Sequence, residues 1–108
     1  MERATPLDYD ETRVADMFAV AQARDQAALA RLFDYYVPEV RSFCLAAQPG
    51  ANLMADDIAQ EVMIRIWNKA HTYKPESASL NTWVFTLARN ARIDYLRKNS
   101  RHQSDIDP

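Results

Sequence analysis

Asp56-Asp57-Ile58-Ala59-Gln60-Glu61-Val62-Met63-Ile64-Arg65-Ile66-Trp67, then the loop His71-Thr72-Tyr73-Lys74-Pro75-Glu76-Ser77-Ala78-Ser79, then Thr82-Trp83-Val84-Phe85-Thr86-Leu87-Ala88-Arg89-Asn90-Ala91-Arg92-Ile93-Asp94-Tyr95-Leu96-Arg97 decide how the chain folds. The first run is an acid-led amphipathic helix. Its Ala55, Ile58, Ala59, Val62, Met63, Ile66 and Ala70 recur at helical spacing and form one buried stripe. Asp57, Gln60, Glu61, Ile64 and Asn68 fall on the opposite side. Asp56 and Asp57 are placed in the first turn, where the helix dipole favours acidic groups. That dipole accounts for the two aspartates but not for Ile64, an apolar side chain among polar neighbours. A polar surface with one apolar contact point suits docking on another protein.

The second run is aromatic and basic. Leu80, Val84, Leu87, Ala88, Ala91 and Tyr95 give its inward stripe, and Ser77 or Ser79 is the candidate N-cap. Arg89, Arg92, Arg97 and Lys98 decorate the other surface, with Thr82, Thr86 and Asn90 between them. Arginine and lysine pair with phosphates, and asparagine and threonine can bond base edges. Trp83 fits the core more readily than a stacking platform.

Upstream of this stretch the chain reads as two further helices. Thr12 can cap the first, with Val14, Met17, Phe18 and Ala21 facing inward. Asp25 is a good N-cap for the second. The second carries a long stripe: Leu29, Leu32, Phe33, Tyr36, Val37, Val40, Phe43, Cys44 and Ala47. The stripe keeps its phase across Pro38, which predicts one kinked helix rather than two, although proline removes a backbone donor there. Gly50, the only glycine in the chain, marks the following helix end, where a left-handed conformation is needed. No strand pattern occurs. The expected fold is all-α, a compact bundle of about four helices spanning residues 12–99. A flexible N-terminus (1–11) precedes it and the start of an interdomain linker (100–108) follows.

A chain of 108 residues supports one such core. The net charge of −2 conceals a division. Residues 1–70 carry a net −4, residues 71–101 a net +4, and the last seven −2. A cationic block beside an acidic body points to a polyanion partner on one face, although a solvated basic helix would read the same way. No apolar run approaches the roughly 20 residues that cross a bilayer. The N-terminus lacks a signal-peptide core, and a single cysteine, Cys44, forms no intrachain disulfide. Cytoplasm is therefore the default location, and Cys44 is expected to be a small buried hydrophobe.

Catalytic sets are missing. His71 and His102 lie far apart and neither neighbours a nucleophile. One glycine precludes a phosphate-cradling loop, and no zinc spacing occurs. Asp56, Asp57 and Glu61 could gather as hard-cation ligands, but helix-start acids need no ion to explain them. The chain is expected to be neither an enzyme nor a carrier of a metal or cofactor.

Together the two runs resemble region 2 of bacterial RNA polymerase sigma factors, of the extracytoplasmic function (ECF) class. The resemblance covers about Asp25 to Arg101 and includes Ala27-Ala28-Leu29-Ala30-Arg31-Leu32-Phe33 as the early helix. It implies that the acidic helix docks on the clamp helices of the polymerase β′ subunit through Asp57, Gln60 and Glu61, with Ile64 and Arg65 beside them. It also implies recognition of the minus-ten promoter element and retention of the melted non-template strand. A flipped base would be held by the loop Lys74 to Ser79, including Ser77, together with Trp83, Thr86, Arg89 and Asn90. Arg92, Arg97 and Lys98 would grip the backbone, with affinity falling as salt rises. Lys69 to Ser79 is similar to the subgroup answering photo-oxidative or singlet-oxygen stress, which implies restraint by a zinc-containing anti-sigma factor.

The chain departs from the family in two respects. It stops where a linker to region 4 should begin, which implies an excised or truncated domain. It has fewer loop aromatics than housekeeping sigma factors, so strand opening by this domain alone is not implied. The competing readings are a helical protein-interaction module whose basic helix binds an acidic partner, and a helix-turn-helix regulator, for which the compact turn is missing.

Overall fold

The computed structural model describes the backbone of residues 6–106 and the side chains of residues 11–100. Four helices follow one another: α1 (Pro6–Ala23), α2 (Gln26–Ala47), α3 (Asn52–Lys69) and α4 (Leu80–Ile106). A single 3-10 turn, Ala70–Thr72, leads from α3 into the loop before α4. The longest shared interface joins α2 to α3, with α1 laid against α2 and the 3-10 turn, and α4 against α3.

The stripes read from the sequence form the core. Leu32, Tyr36, Val40 and Cys44 of α2 are sealed from solvent, as are Ile58, Val62 and Ile66 of α3 and Leu80, Val84 and Ala88 of α4. Ala55 and Ala59 are also buried, and their small side chains let α2 approach α3 closely. Tyr36 is the largest fully buried side chain, and its hydroxyl donates to Asn81 Oδ1 at 2.6 Å, tying the middle of α2 to the start of α4. That bond allows a phenol to sit at the centre of an apolar core. Burial pushes the Cys44 thiol above its ordinary range, with the charge of Arg92 opposing it.

The chain breaks follow local chemistry. Asp25 is the N-cap of α2, its Oδ1 accepting from Ala27 N–H at 2.9 Å and Ala28 N–H at 3.2 Å. Substituting Asp25 by alanine is expected to cost about 0.5–2 kcal/mol of unfolding free energy, measured as a lowered midpoint in urea. α2 runs through Pro38 without interruption. Gly50 takes φ +86°, and nothing lies within 4 Å of where a Cβ would stand, so backbone conformation alone calls for glycine there.

Several expectations need correction. α1 begins at Pro6 rather than Thr12. Proline suits a first helical position because the N–H it lacks would have no partner there. Residues 1–5 of the segment expected to be flexible lie outside the described residues. The buried side of α1 is Asp16, Met17 and Val20, while Phe18 is 40% exposed. The helix is turned so that Asp16 meets Arg31 of α2, whose Nη2 lies 2.9 Å from Asp16 Oδ1. On α2, Phe33 lies at the margin of the stripe and is 47% exposed, and Ala47, the last residue of the expected stripe, is exposed as well. Asp56 and Asp57 sit in the second turn of α3, since that helix starts at Asn52, and Asp56 instead accepts from Arg41 Nε of α2 at 2.5 Å. The tail expected to open a linker continues α4 as far as Ile106, because a helix needs no apolar face where each new residue adds a backbone bond. Residues 107–108 of that linker lie outside the described residues.

Arg24 was not anticipated. It closes α1 with φ +50°, a left-handed conformation that is unfavourable for side chains other than glycine. Its guanidinium lies 3.5 Å from the centroid of the Trp67 ring and donates to the Trp67 carbonyl at 2.6 Å. The same residue therefore ends α1 and pins it to the C-terminal end of α3, a cation–π contact offsetting the backbone cost.

Candidate functional site

Burying Ile58, Val62 and Ile66 of α3 turns the other side of the helix outward. Asp57, Gln60 and Ile64 project into solvent, and Ile64 is 50% exposed. Glu61 and Arg65 are more constrained. Arg65 Nε donates to Glu61 Oε2 at 3.0 Å and its Nη2 to Asp94 Oδ2 of α4 at 3.1 Å. Burial would lower the pKa of this guanidinium, but the hydrogen bonds and charges of Glu61 and Asp94 outweigh it and leave the pKa raised. Arg65 is thus a strut between α3 and α4 that holds Glu61 in place.

The ridge has a groove on each side. One, of about 310 Å³, runs between α3 and α4 and is lined by Asp57, Glu61, Arg65, Asp94, Tyr95 and Lys98. The other, of about 200 Å³, lies between α2 and α3 and is lined by Phe33, Val37, Asp56, Ala59 and Gln60. Lys98, expected from the sequence to grip the nucleic-acid backbone, is exposed and lines the first of these grooves, beside the acidic ridge. Gln60 stands between an apolar flank and a charged one.

The loop before α4 is ordered by its own bonds. Ser77 N–H and Ala78 N–H donate to Lys74 O at 3.0 and 3.4 Å. Tyr73 is buried, its hydroxyl donates to Ala78 O at 3.0 Å, and its ring lies 5.5 Å from that of Trp83. Ser79 is the residue that caps α4, its Oγ accepting from Thr82 N–H at 3.1 Å, so its hydroxyl already has a structural task. Lys74 and Ser77 are exposed. Between this loop and α1 lies a cavity of about 460 Å³, lined mainly by Val14, Phe18, Tyr73, Pro75 and Ser79.

Along α4 the sequence-derived residues divide. Thr86, Arg89, Asn90 and Arg97 are exposed, and among the described residues neither Arg89 nor Asn90 has an intramolecular partner. Thr86 Oγ1 donates back to Thr82 O at 2.8 Å, and Arg97 Nη1 lies 3.8 Å from Asp94 Oδ1. Trp83 is half-buried against Tyr73. Arg92 is half-buried as well, with its Nε out of solvent and without a partner, which leaves it less available to a phosphate than Arg89 or Arg97.

Sequence reasoning passed over Tyr73 and Asp16. A lone aromatic inside a polar, proline-bearing loop was the available signal for Tyr73. Asp16 gave none, because its partner Arg31 lies fifteen residues away on another helix. No cluster that could hold a metal ion occurs among the described residues, and no described helix is long and apolar enough to cross a membrane.

Comparison with known proteins gives concordant results. The model of the sigma-70 region 2 family matches residues 32–102. The chain is 44% identical over 92 residues to the ECF RNA polymerase sigma factor RpoE of Cereibacter sphaeroides, covering 85% of this chain and 50% of that protein. It is 33% identical over 76 residues to the ECF RNA polymerase sigma factor SigM of Bacillus subtilis, covering 70% and 45%. Among solved structures, SigE of Rhodobacter sphaeroides in complex with the anti-sigma ChrR superposes with a TM-score of 0.71 at 42% identity, covering 80% of this chain and 55% of that one. The chain spans about half the length of the relatives it matches.

Proposed function

The chain belongs to the sigma-70 region 2 family, and from that premise we propose that it is the polymerase-docking and minus-ten-reading module of an ECF sigma factor. In this role it is a non-enzymatic adaptor acting with core RNA polymerase in the cytoplasm. The α3 ridge of Asp57, Gln60, Glu61 and Ile64 docks on the clamp helices of the β′ subunit. The ridge is acidic at one edge and apolar at its centre, a composition suited to a basic, partly apolar helical partner. Lys74, Ser77 and Ser79 in the loop, with Trp83, Thr86, Arg89, Asn90 and Arg97 on α4, engage the unpaired non-template strand. Arg92 and Lys98 contribute mainly through the field of their charges. Residues 12–99 constitute the working domain.

The observation that carries this reading is the separation of two exposed surfaces. One is an acidic ridge on α3. The other is a cationic face on α4 whose Arg89 and Asn90 are unpartnered among the described residues. SigE of Rhodobacter sphaeroides has been crystallised with the anti-sigma ChrR, and by similarity an anti-sigma factor, zinc-containing in the resembled subgroup, restrains this chain too.

The reading is tested by separating the surfaces. The double variant Asp57→Ala, Gln60→Ala is expected to weaken binding to a β′ clamp-helix fragment by tenfold or more, since truncating an interface centre costs on the order of 1–2 kcal/mol per residue. Binding of a fluorescent single-stranded minus-ten-like oligonucleotide should be unchanged, and should fall between two salt concentrations as counterion release requires. Loss of both activities together would refute the division. Salt-insensitive binding, or equal binding of a scrambled oligonucleotide, would favour an acidic protein partner for α4.

A further inference from the structure

Two exposed apolar side chains on α4, Ile93 and Leu96, are not explained by the fold or by charge, and of the two Ile93 is the one that stands between Asn90 and Arg97. Thr86, Asn90, Ile93 and Arg97 follow one another at spacings of four, three and four, which places them in one row along the helix. Arg89 flanks the row one turn before Ile93. Every other member is polar or charged, yet Ile93 is 40% exposed. The core does not use it, since the inward stripe is Val84, Leu87, Ala88 and Ala91. A β-branched hydrocarbon is stiff at χ1 and presents a fixed apolar surface. Here that surface lies between an amide at Asn90, able to donate and accept, and a guanidinium at Arg97.

We propose that Ile93 is a specificity residue of α4 that reads thymine through its 5-methyl group. This rests on the reading of α4 as the nucleic-acid face given above. Of the four bases only thymine carries a methyl at its edge, and apolar side chains recognise it by contact. The neighbouring groups supply the remaining needs: Arg97 and Arg89 attract the backbone, and Asn90 bonds a base edge. An apolar contact between them adds discrimination without adding charge.

The test uses the chain itself with fluorescein-labelled oligothymidylate and its deoxyuridine counterpart, which differ only by that methyl. Removing one methyl from a contact corresponds to about a three- to fivefold change in affinity. The wild-type chain is expected to prefer the thymidylate strand by that factor. Ile93→Ala should bring the ratio to about one while retaining its melting temperature, and Ile93→Val should retain part of the preference. Arg97→Ala should weaken both strands alike and keep the ratio. An unchanged ratio in Ile93→Ala overturns the proposal. A wild-type ratio near one overturns it too, and leaves the nucleic-acid reading of α4 intact. Failure of the wild type to bind either strand at low salt overturns that reading and this proposal with it.

Discussion

Replacing Ile58 by alanine is expected to lower the unfolding free energy by about 2–5 kcal/mol, the range for cutting a large aliphatic side chain from a packed core. Ile58 is 1% exposed and faces inward from α3, on the same turn as Ala55 and Ala59. Ile58 also lies beside Ala91 and Tyr95 of α4, so its truncation removes contacts between the two helices, and the extent to which Tyr95 relaxes into the space sets where in that range the loss falls. At roughly 4–8 °C per kcal/mol for a domain near this size, the fall in Tm is large. Ile64→Ala provides the contrast from the same helix. Ile64 is 50% exposed, and its truncation should alter stability by no more than about 0.5 kcal/mol while weakening the clamp-helix complex. Thermal melts of the two variants, with the binding titration on Ile64→Ala, check both statements. A comparable loss of stability from Ile64→Ala would mean that the apolar residue on the ridge serves the fold rather than a partner.

The same pair shows why this fold was readable. α3 and α4 have strict helical periods, so the residues at Ile58, Val62, Ile66, Val84 and Ala88 could be assigned inward without coordinates, and all are buried. Capping chemistry was equally local: Asp25 and Ser79 bond amides within three residues of themselves. The readings that needed revision depend on partners distant in sequence. Phe18 satisfies the period of α1 as well as Val20 does, and only the placement of Asp16 against Arg31 selects the rotation observed. Arg65 is expected from the sequence beside the docking residues of α3, and its bond to Asp94, 29 residues on, adds a tie between α3 and α4 that no local pattern shows. Lys98 belongs to a basic run by sequence and to the acidic groove by geometry, because α4 crosses α3 at that point.

The second large effect is expected at Tyr73. Tyr73→Ala should cost on the order of 3–5 kcal/mol, as for other buried aromatics, and should also release the loop that precedes α4. Tyr73 is 6% exposed, and its ring meets Trp83 while its hydroxyl holds the Ala78 carbonyl. Tyr73→Phe separates the two contributions. The ring remains, so stability should fall by only about 0.5–1.5 kcal/mol, the net value of one hydrogen bond. Without that bond the turn formed by Lys74, Ser77 and Ala78 loses its outer anchor, and amide exchange at Ser77 and Ala78 should accelerate. If the loop must be held in shape to receive an unpaired base, Tyr73→Phe should also lower oligonucleotide affinity, because the ordering cost is then met at binding. Faster exchange with unchanged affinity would show that the loop is rigid for the sake of the fold, and would shift base recognition wholly onto the exposed row of α4.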